Sequence, residues 1–293
     1  MPKLKVIQVM LDTGDYTGYD AIILAQGDSW FSIGAIPFTA TSNILFEMSL
    51  KRAACAVNCA RPGATLRNMV EWVRQPEFTE RLSGIQAIEW SAIFISGGGN
   101  DLINAVQASC NAENDPEDQK RRLLLTMNER GGVAAPSPAG YISEPGWQMF
   151  RDHLTFHFLD LVEQREAGKA KGSPTFFHTY DYPTPRNAPA GLGFGPWLYG
   201  AMMDYEIPQT DWDALATELI DRLAKLLGDI IVAINGEYGR DMNLHLIDVR
   251  GKLALAADGT SRRSGDWQNE IHPTRAGYGK LAQAWAAAAN PLI

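Results

Sequence analysis

A serine, an asparagine and a histidine stand in three short fragments spread over a chain of 293 residues: Gly27-Asp28-Ser29-Trp30, Gly98-Gly99-Asn100-Asp101 and Glu270-Ile271-His272-Pro273. A serine hydroxyl attacks a carbonyl only when a base within hydrogen-bond reach takes its proton and nearby donors receive the oxyanion that forms. An imidazole can take that proton near neutrality, and an asparagine amide donates without titrating. The three residue types together point to acyl transfer, with Ser29 as candidate nucleophile and His272 as candidate base.

For these residues to meet, the fold must bring the ends of distant segments together. Apolar runs suited to buried strands recur at 21–25, 54–59, 92–96, 175–179 and 244–249. Helical patterns fall between them, which predicts a three-layer α/β/α sandwich with a five-stranded parallel sheet. Ser29 follows the first run, at the tip of a buried strand. His272 precedes a helix expected over 276–289, a position that an open α/β sheet can carry to its strand ends.

Leu66, Met69, Val70 and Val73 follow the i, i+3, i+4, i+7 spacing of one helix face. A second helix is expected to open at Thr210, with Asp213 completing a weak capping box, and to run through Gly228 to end near Gly236. Its apolar face carries Leu219, Leu223, Leu226, Leu227, Ile230, Ile231 and Ile234. Two stretches break the alternation: 111–146, charged and then rich in Gly and Pro, and 181–208, with Pro183, Pro185, Pro189, Pro196 and Pro208. Long irregular insertions of this kind often carry function.

Composition narrows the rest. With 45% apolar and 20% charged residues, the chain reads as one globular domain over 1–293. A formal charge of -8 argues against a nucleic-acid partner, and the one basic run, Lys120-Arg121-Arg122, reads as a solvated helix surface. Cys55, Cys59 and Cys110 cannot all pair, so no disulfide framework is expected. No secretory signal and no run of membrane-spanning length is visible, so the expected location is cytoplasmic. Oligomeric state is not encoded in any feature we recognise.

Four blocks in order resemble the SGNH, or GDSL-type, hydrolases: Gly-Asp-Ser-Trp at 27–30, the glycine in Ala60-Arg61-Pro62-Gly63-Ala64-Thr65, Gly98-Gly99-Asn100-Asp101, and Ile271-His272-Pro273. The resemblance implies the flavodoxin-like fold of that family and a lipase-like hydrolase of small-molecule esters that needs no cofactor. It implies that Ser29 is the nucleophile, that His272 is general base and then acid, and that Gly63, Asn100 and the Ser29 amide form the oxyanion hole. One position departs from the family pattern: where an aspartate usually stands three residues before the histidine, this chain has Asn269. Asp266 is the favoured replacement for orienting His272, with Glu270 a further candidate and Asn269 itself the alternative.

Other features read more plainly. His153 and His157 share a helix face near Asp160, but no glutamate follows His153 directly, and no metal site is expected. His178 and His245 read as structural. Tyr180, Tyr182, Phe194, Trp197 and Tyr199 flank or populate the Pro-rich insertion and could wall a substrate site. The rival readings are a carbohydrate O-acetyl esterase, an acyl thioesterase, and a non-catalytic binding protein that keeps the fold. Activity should fall in acid as His272 takes a proton, with a flat profile from about pH 5 to 8 counting against it as the base.

Overall fold

The computed structural model describes residues 1–9, 15–34, 41–191 and 193–293. Lys5–Gln8 (β1), Ala21–Gly27 (β2), Ala54–Asn58 (β3), Ala92–Ser96 (β4), Thr175–His178 (β5) and Leu244–Ile247 (β6) form one sheet in the order β1-β3-β2-β4-β5-β6. Every pairing in it is parallel. Parallel neighbours need crossover connections, and the helices that make them flank the sheet. In chain order they are Ser29–Ser32 (α1), Ile44–Glu47 (α2), Leu66–Val70 (α3), Pro76–Leu82 (α4), Gly99–Gln107 (α5), Pro116–Gln119 (α6), Glu144–Ala167 (α7), Leu198–Asp204 (α8), Trp212–Tyr238 (α9) and Arg275–Ala289 (α10).

The sheet has six strands where the apolar runs predict five. All five expected strands form, and β3, β4 and β5 are buried along their whole length, as continuous apolar runs require. The sixth, β1, escapes that criterion: it is a four-residue edge strand, Lys-Val-Ile-Gln, in which Ile7 alone is buried. Half-exposed edges do not need an apolar run.

Strand order also decides where a site can form. From β2 the chain crosses to β3 on one side, whereas from β4 it crosses to β5 on the other. Adjacent strands whose connections depart in opposite directions leave a crevice beyond their carboxyl ends. That crevice lies past Gly27 of β2 and Ser96 of β4, next to Ser29 and Asn100.

The long helix α9 runs unbroken through Gly228 and ends at Tyr238, where Gly239 takes the left-handed conformation (φ 62°). Its start differs from expectation. A 3₁₀ turn, Gln209–Asp211, leads into it, and no side chain caps it, so the Thr210–Asp213 box does not form. Of its expected apolar face, Leu219, Leu223, Leu226, Leu227, Ile230 and Ile234 are buried, and Ile231 is partly so.

Helix α3 is shorter than its pattern suggests. Thr65 and Asn68 form a reciprocal capping box at its start, but Glu71 turns extended after one turn, and Val73 is 84% exposed. Helix α10 starts within one residue of expectation, with Thr274 Oγ1 accepting the Gly277 amide at 3.1 Å.

The two insertions are not structureless. The first holds α6 and a 3₁₀ turn, Pro138–Tyr141, gathered around Arg122. Its guanidinium is buried and bonds Asp118 Oδ2 at 3.0 Å and Glu129 Oε2 at 2.9 Å. Arg122 is therefore an internal brace, not part of a solvated helix face. The second insertion holds α8, with residue 192 outside the described residues. Cys55, Cys59 and Cys110 are all free thiols. No helix among the described residues is long and apolar enough to cross a membrane.

Gly228 offers a direct test of the α9 packing. A Cβ added there would meet Leu246 Cδ2 at 3.9 Å, an ordinary contact. Gly228→Ala should remove the entropic cost of an interior helix glycine and stabilise the protein by about 0.5–1 kcal/mol. Thermal unfolding should then move up by about 2 °C; a lower midpoint would mean that α9 and β6 have no room for the methyl.

Candidate active site

The site begins with a close approach of two backbones. A Cβ on Gly27 would lie 2.7 Å from Ser96 Cβ and 3.0 Å from Ser96 O, so only glycine lets β2 and β4 finish side by side. The Asp28 amide then donates to Ser96 O at 3.0 Å. Asp28 caps α1, its Oδ1 accepting the Trp30 amide at 2.9 Å. Ser29 is thus the first residue of a helix turn, and its own N–H is not used within that turn.

The histidine arrives on the loop between β6 and α10. Trp30 Nε1 donates to Ile271 O at 3.2 Å, tying the serine turn to the histidine loop across 241 residues of sequence. His272 Nε2 lies 2.8 Å from Ser29 Oγ, and both residues are buried. The two side chains on which the reading of the sequence depends are therefore in direct contact.

Asn269 stands behind the imidazole. Its Oδ1 accepts the backbone amides of Ile271 at 3.1 Å and His272 at 2.8 Å, and it lies 3.1 Å from His272 Nδ1. Two amide donors fix which amide atom faces the ring: it must be the oxygen. The hydrogen of a neutral imidazole is then on Nδ1, and Nε2 is left bare to accept from Ser29 Oγ. An asparagine so pinned supplies the tautomer that an aspartate would supply, without its charge.

Asp266 does not take this place. Its carboxylate accepts the Ala254 amide at 2.7 Å and pairs with Lys280 Nζ, and its carbonyl accepts the Thr274 amide at 2.7 Å. Burial raises its pKa, but Lys280 and the Ala254 amide outweigh this and the net shift is downward. Asp266 holds the 254–266 turn against α10, because a lysine one turn into that helix is a better partner than a neutral ring.

Glu270 also faces away from the imidazole. Its buried carboxylate accepts four backbone amides, those of Arg186 at 3.2 Å, Leu198 at 3.0 Å, Tyr199 at 2.7 Å and Trp197. It clamps the Pro-rich insertion and the start of α8 to the histidine loop, and Trp197 thereby packs edge-on against His272 with ring centres 5.2 Å apart. A glutamate two residues before the histidine was the available signal for such an anchor.

Of the expected oxyanion donors, Ser29 and Asn100 border one cavity and Gly63 does not. Arg61 N donates to Gly27 O at 2.9 Å, which draws the 61–64 loop to the end of β2. Asn100 Nδ2 donates to Ala64 O at 3.1 Å and keeps a second hydrogen free. Gly63 is exposed, with φ 74°, and its N–H has no acceptor among the described residues. Asn100 and Ser29 line one small cavity of about 50 Å³, walled by Leu102, Ile103, Leu198, Ala216, Leu219 and Ile220; Gly63 is not in that wall. Asp101, the next residue, accepts the Leu66 amide at 2.9 Å and so couples α5 to α3.

The remaining histidines fall elsewhere. His153 and His157 pack edge-to-face with ring centres 4.5 Å apart, His153 lies 3.4 Å from Asp101, and no group of metal-ligating side chains forms among the described residues. His245 bonds Asn243 at 2.7 Å, and His178 is buried beneath Trp30.

Compared by sequence, the chain matches no protein-family model and no curated protein. Compared by fold, it is similar to an extracellular lipase from Streptomyces rimosus, at 13% identity and a TM-score of 0.50, over 93% of this chain and 100% of the other. The chain has the SGNH-hydrolase fold. A variant of an acetyl-xylooligosaccharide esterase from Geobacillus stearothermophilus aligns over 93% of this chain and 95% of its own, at 14% identity and a TM-score of 0.46. On this SGNH frame the serine, asparagine and histidine fragments follow β2, follow β4 and precede α10.

Burial lowers the His272 pKa to about 4, and no carboxylate among the described residues offsets the shift. The expected acid limb therefore moves. If His272 is the base, activity should stay level from about pH 8 down to pH 5 and be halved near pH 4, so a flat profile over pH 5–8 agrees with this site. A depressed histidine favours the folded state above its unfolded pKa, and this contribution is lost as pH falls from 6.5 through about 4.

Restoring the charge should reverse the shift. Asn269→Asp should raise the acid limb by roughly one to three pH units, whereas Asp266→Asn should leave it in place and lower thermal stability. Rate profiles of both variants would show it; a limb that moves with Asp266 and not with position 269 would contradict the geometry.

Proposed function

We propose that the chain is a serine hydrolase that cleaves carboxylic esters through an acyl-enzyme, and the observation that carries this reading is the 2.8 Å contact between Ser29 Oγ and a His272 Nε2 left unprotonated by Asn269. Ser29 Oγ attacks the ester carbonyl as its proton passes to His272 Nε2. The imidazolium keeps its Nδ1 hydrogen on Asn269 Oδ1. The oxyanion is received by the Ser29 amide, the free hydrogen of Asn100 Nδ2 and the Gly63 amide. Collapse of the tetrahedral adduct breaks the bond to the alcohol, which leaves with the proton from His272. Water then enters by the same path and frees the acid.

The chemistry requires no cofactor. With a neutral amide in the aspartate's place, the imidazolium gains a hydrogen bond but no opposite charge, so turnover should be slower than in a site with a full triad.

The cavity beside Ser29 supports a short acyl group. Its walls are largely apolar, with Leu102, Ile103, Leu219 and Ile220 facing Trp30 and Trp267, and its volume is small, about 50 Å³. That suits an acetyl to butyryl group better than a long acyl chain. The same size favours a carbohydrate O-acetyl esterase as the second reading, with Phe194, which is 66% exposed, and Trp197 on the insertion as candidate sugar-stacking faces.

A fluorophosphonate probe should label Ser29 in the native chain and not in Ser29→Ala. Hydrolysis of nitrophenyl esters should be fastest for acetate to butyrate and at least tenfold slower for octanoate, with acetylated xylo-oligosaccharides and acyl thioesters assayed beside them. No labelling and no turnover would favour the binding-protein reading. Octanoate turned over as fast as butyrate would refute the acyl cavity alone.

A further inference from the structure

A second polar chain begins at Asp28, the residue before Ser29, and the reaction above makes no use of it. His178 Nδ1 lies 2.6 Å from Thr179 O, and His178 Nε2 lies 2.9 Å from Ser96 Oγ. Ser96 Oγ lies 2.8 Å from Asp28 Oδ1, and Tyr180 Oη lies 2.6 Å from Asp28 Oδ2. Ser96 is 0% exposed, His178 1%, Asp28 2% and Tyr180 6%, and of the four only Asp28 and Tyr180 border the cavity beside Ser29.

The hydrogens in this chain can be counted. Each of the four contacts joins two atoms that carry lone pairs, so each needs one hydrogen between them. Thr179 O can only accept. A neutral His178 brings one hydrogen, Ser96 one and Tyr180 one, while an ionised Asp28 brings none. With ordinary charges there are four contacts and three hydrogens. One contact would then set lone pair against lone pair at under 3 Å in the interior, where an unmet acceptor is most costly. The Trp30 amide cannot fill the gap, because its hydrogen already points at Asp28 Oδ1.

We propose that the fourth hydrogen is on Asp28, which is held as a neutral carboxylic acid one residue before the nucleophile. Asp28 Oδ1 donates to Ser96 Oγ, Ser96 donates to His178 Nε2, His178 Nδ1 donates to Thr179 O, and Tyr180 donates to Asp28 Oδ2.

The surroundings favour this seat over His178. The His178 ring lies against Trp30, Phe31 and Trp285 at 5.5, 6.1 and 5.4 Å between centres, and burial lowers its pKa to about 4. Burial raises Asp28 to about 6 against its bonds from Tyr180, Trp30 and Ser96, and the Asp101 carboxylate pushes the same way. Ser96 has a single hydrogen. Once it points to His178 it no longer stabilises a carboxylate at position 28, and ionisation moves higher still.

The other titratable neighbour is the Tyr278 phenol, itself raised by burial and by Asp28. No lysine, arginine or histidine forms an ion pair with Asp28 among the described residues.

The consequence for turnover rests on the esterase reading. Negative charge develops beside the Ser29 amide, one residue from Asp28, and a buried carboxylate there would oppose it. A neutral acid caps α1 without that field. Asp28 is a positioning residue in this scheme.

Infrared spectra of protein carrying ¹³C-labelled aspartate test the proton directly, whether or not the chain is an esterase. At pH 7 the native protein should show a carboxylic-acid C=O band that Asp28→Asn lacks; carboxylate bands alone would overturn the proposal. Should Asp28→Asn fail to fold, His178→Phe serves instead. It keeps the ring stack and releases the Ser96 hydrogen to Asp28, so the acid band should titrate away at least one pH unit lower; an unshifted band would refute the count.

Nitrogen-15 NMR should find His178 neutral with its hydrogen on Nδ1, and a doubly protonated ring at pH 7 would refute the seat. In turnover, Asp28→Asn should lose less than tenfold in kcat and Asp28→Ala clearly more. Equal losses would mean that the site needs the anion.

Discussion

Two strands finish in contact with no side chain between them, and the rest of the site is hung from that junction. Because Gly27 leaves room for Ser96 to come within van der Waals reach, the Asp28 amide can bond across the sheet, and the chain must turn into a helix at once. The first N–H of that helix is unused, and the hydroxyl beside it faces the crevice that the strand order creates. Any residue larger than glycine would part the strands and with them both halves of the site.

The electrostatics of the site are those of dipoles rather than charges. Asn269 is oriented by two backbone amides, so it fixes the imidazole tautomer by geometry. Asn100 keeps a free amide hydrogen, held in place by Ala64 O. With His272 pushed down to about 4 by burial, the resting site carries no charged side chain among those in contact with the serine and the imidazole. Fixed dipoles need no reorganisation as charge develops, and their effect grows where water is excluded. What is given up is the Coulombic support that a carboxylate gives to an imidazolium.

Much of this could be read from the chain alone, for definite reasons. Buried parallel strands are continuous apolar runs, so five of the six were visible, and the half-exposed Lys5–Gln8 was not. Ser29, Asn100 and His272 stood out because each follows a strand or precedes a helix. Asp266 stands out in the sequence because its carboxylate is visible there, whereas its partners, Lys280 and the Ala254 amide, are brought to it only by the fold.

Val73 fitted a helical period that one extended residue at Glu71 ends. The Asp28–Ser96–His178 chain unites residues from three distant segments, and only the folded arrangement makes their hydrogens countable.

The Glu270 clamp has an evolutionary side. One carboxylate fastens the aromatic insertion and the start of α8 to the very loop that carries His272. Insertions in such enzymes are where selection for new substrates acts most freely, since loops tolerate change. Here that freedom is curtailed: a mutation that reshapes the insertion also pulls on the loop that holds His272. On the proposed esterase reading, substrate range and proton transfer are inherited as a linked pair, and new preferences should arise more readily in the aliphatic side chains that α5 and α9 contribute to the cavity, outside the clamp.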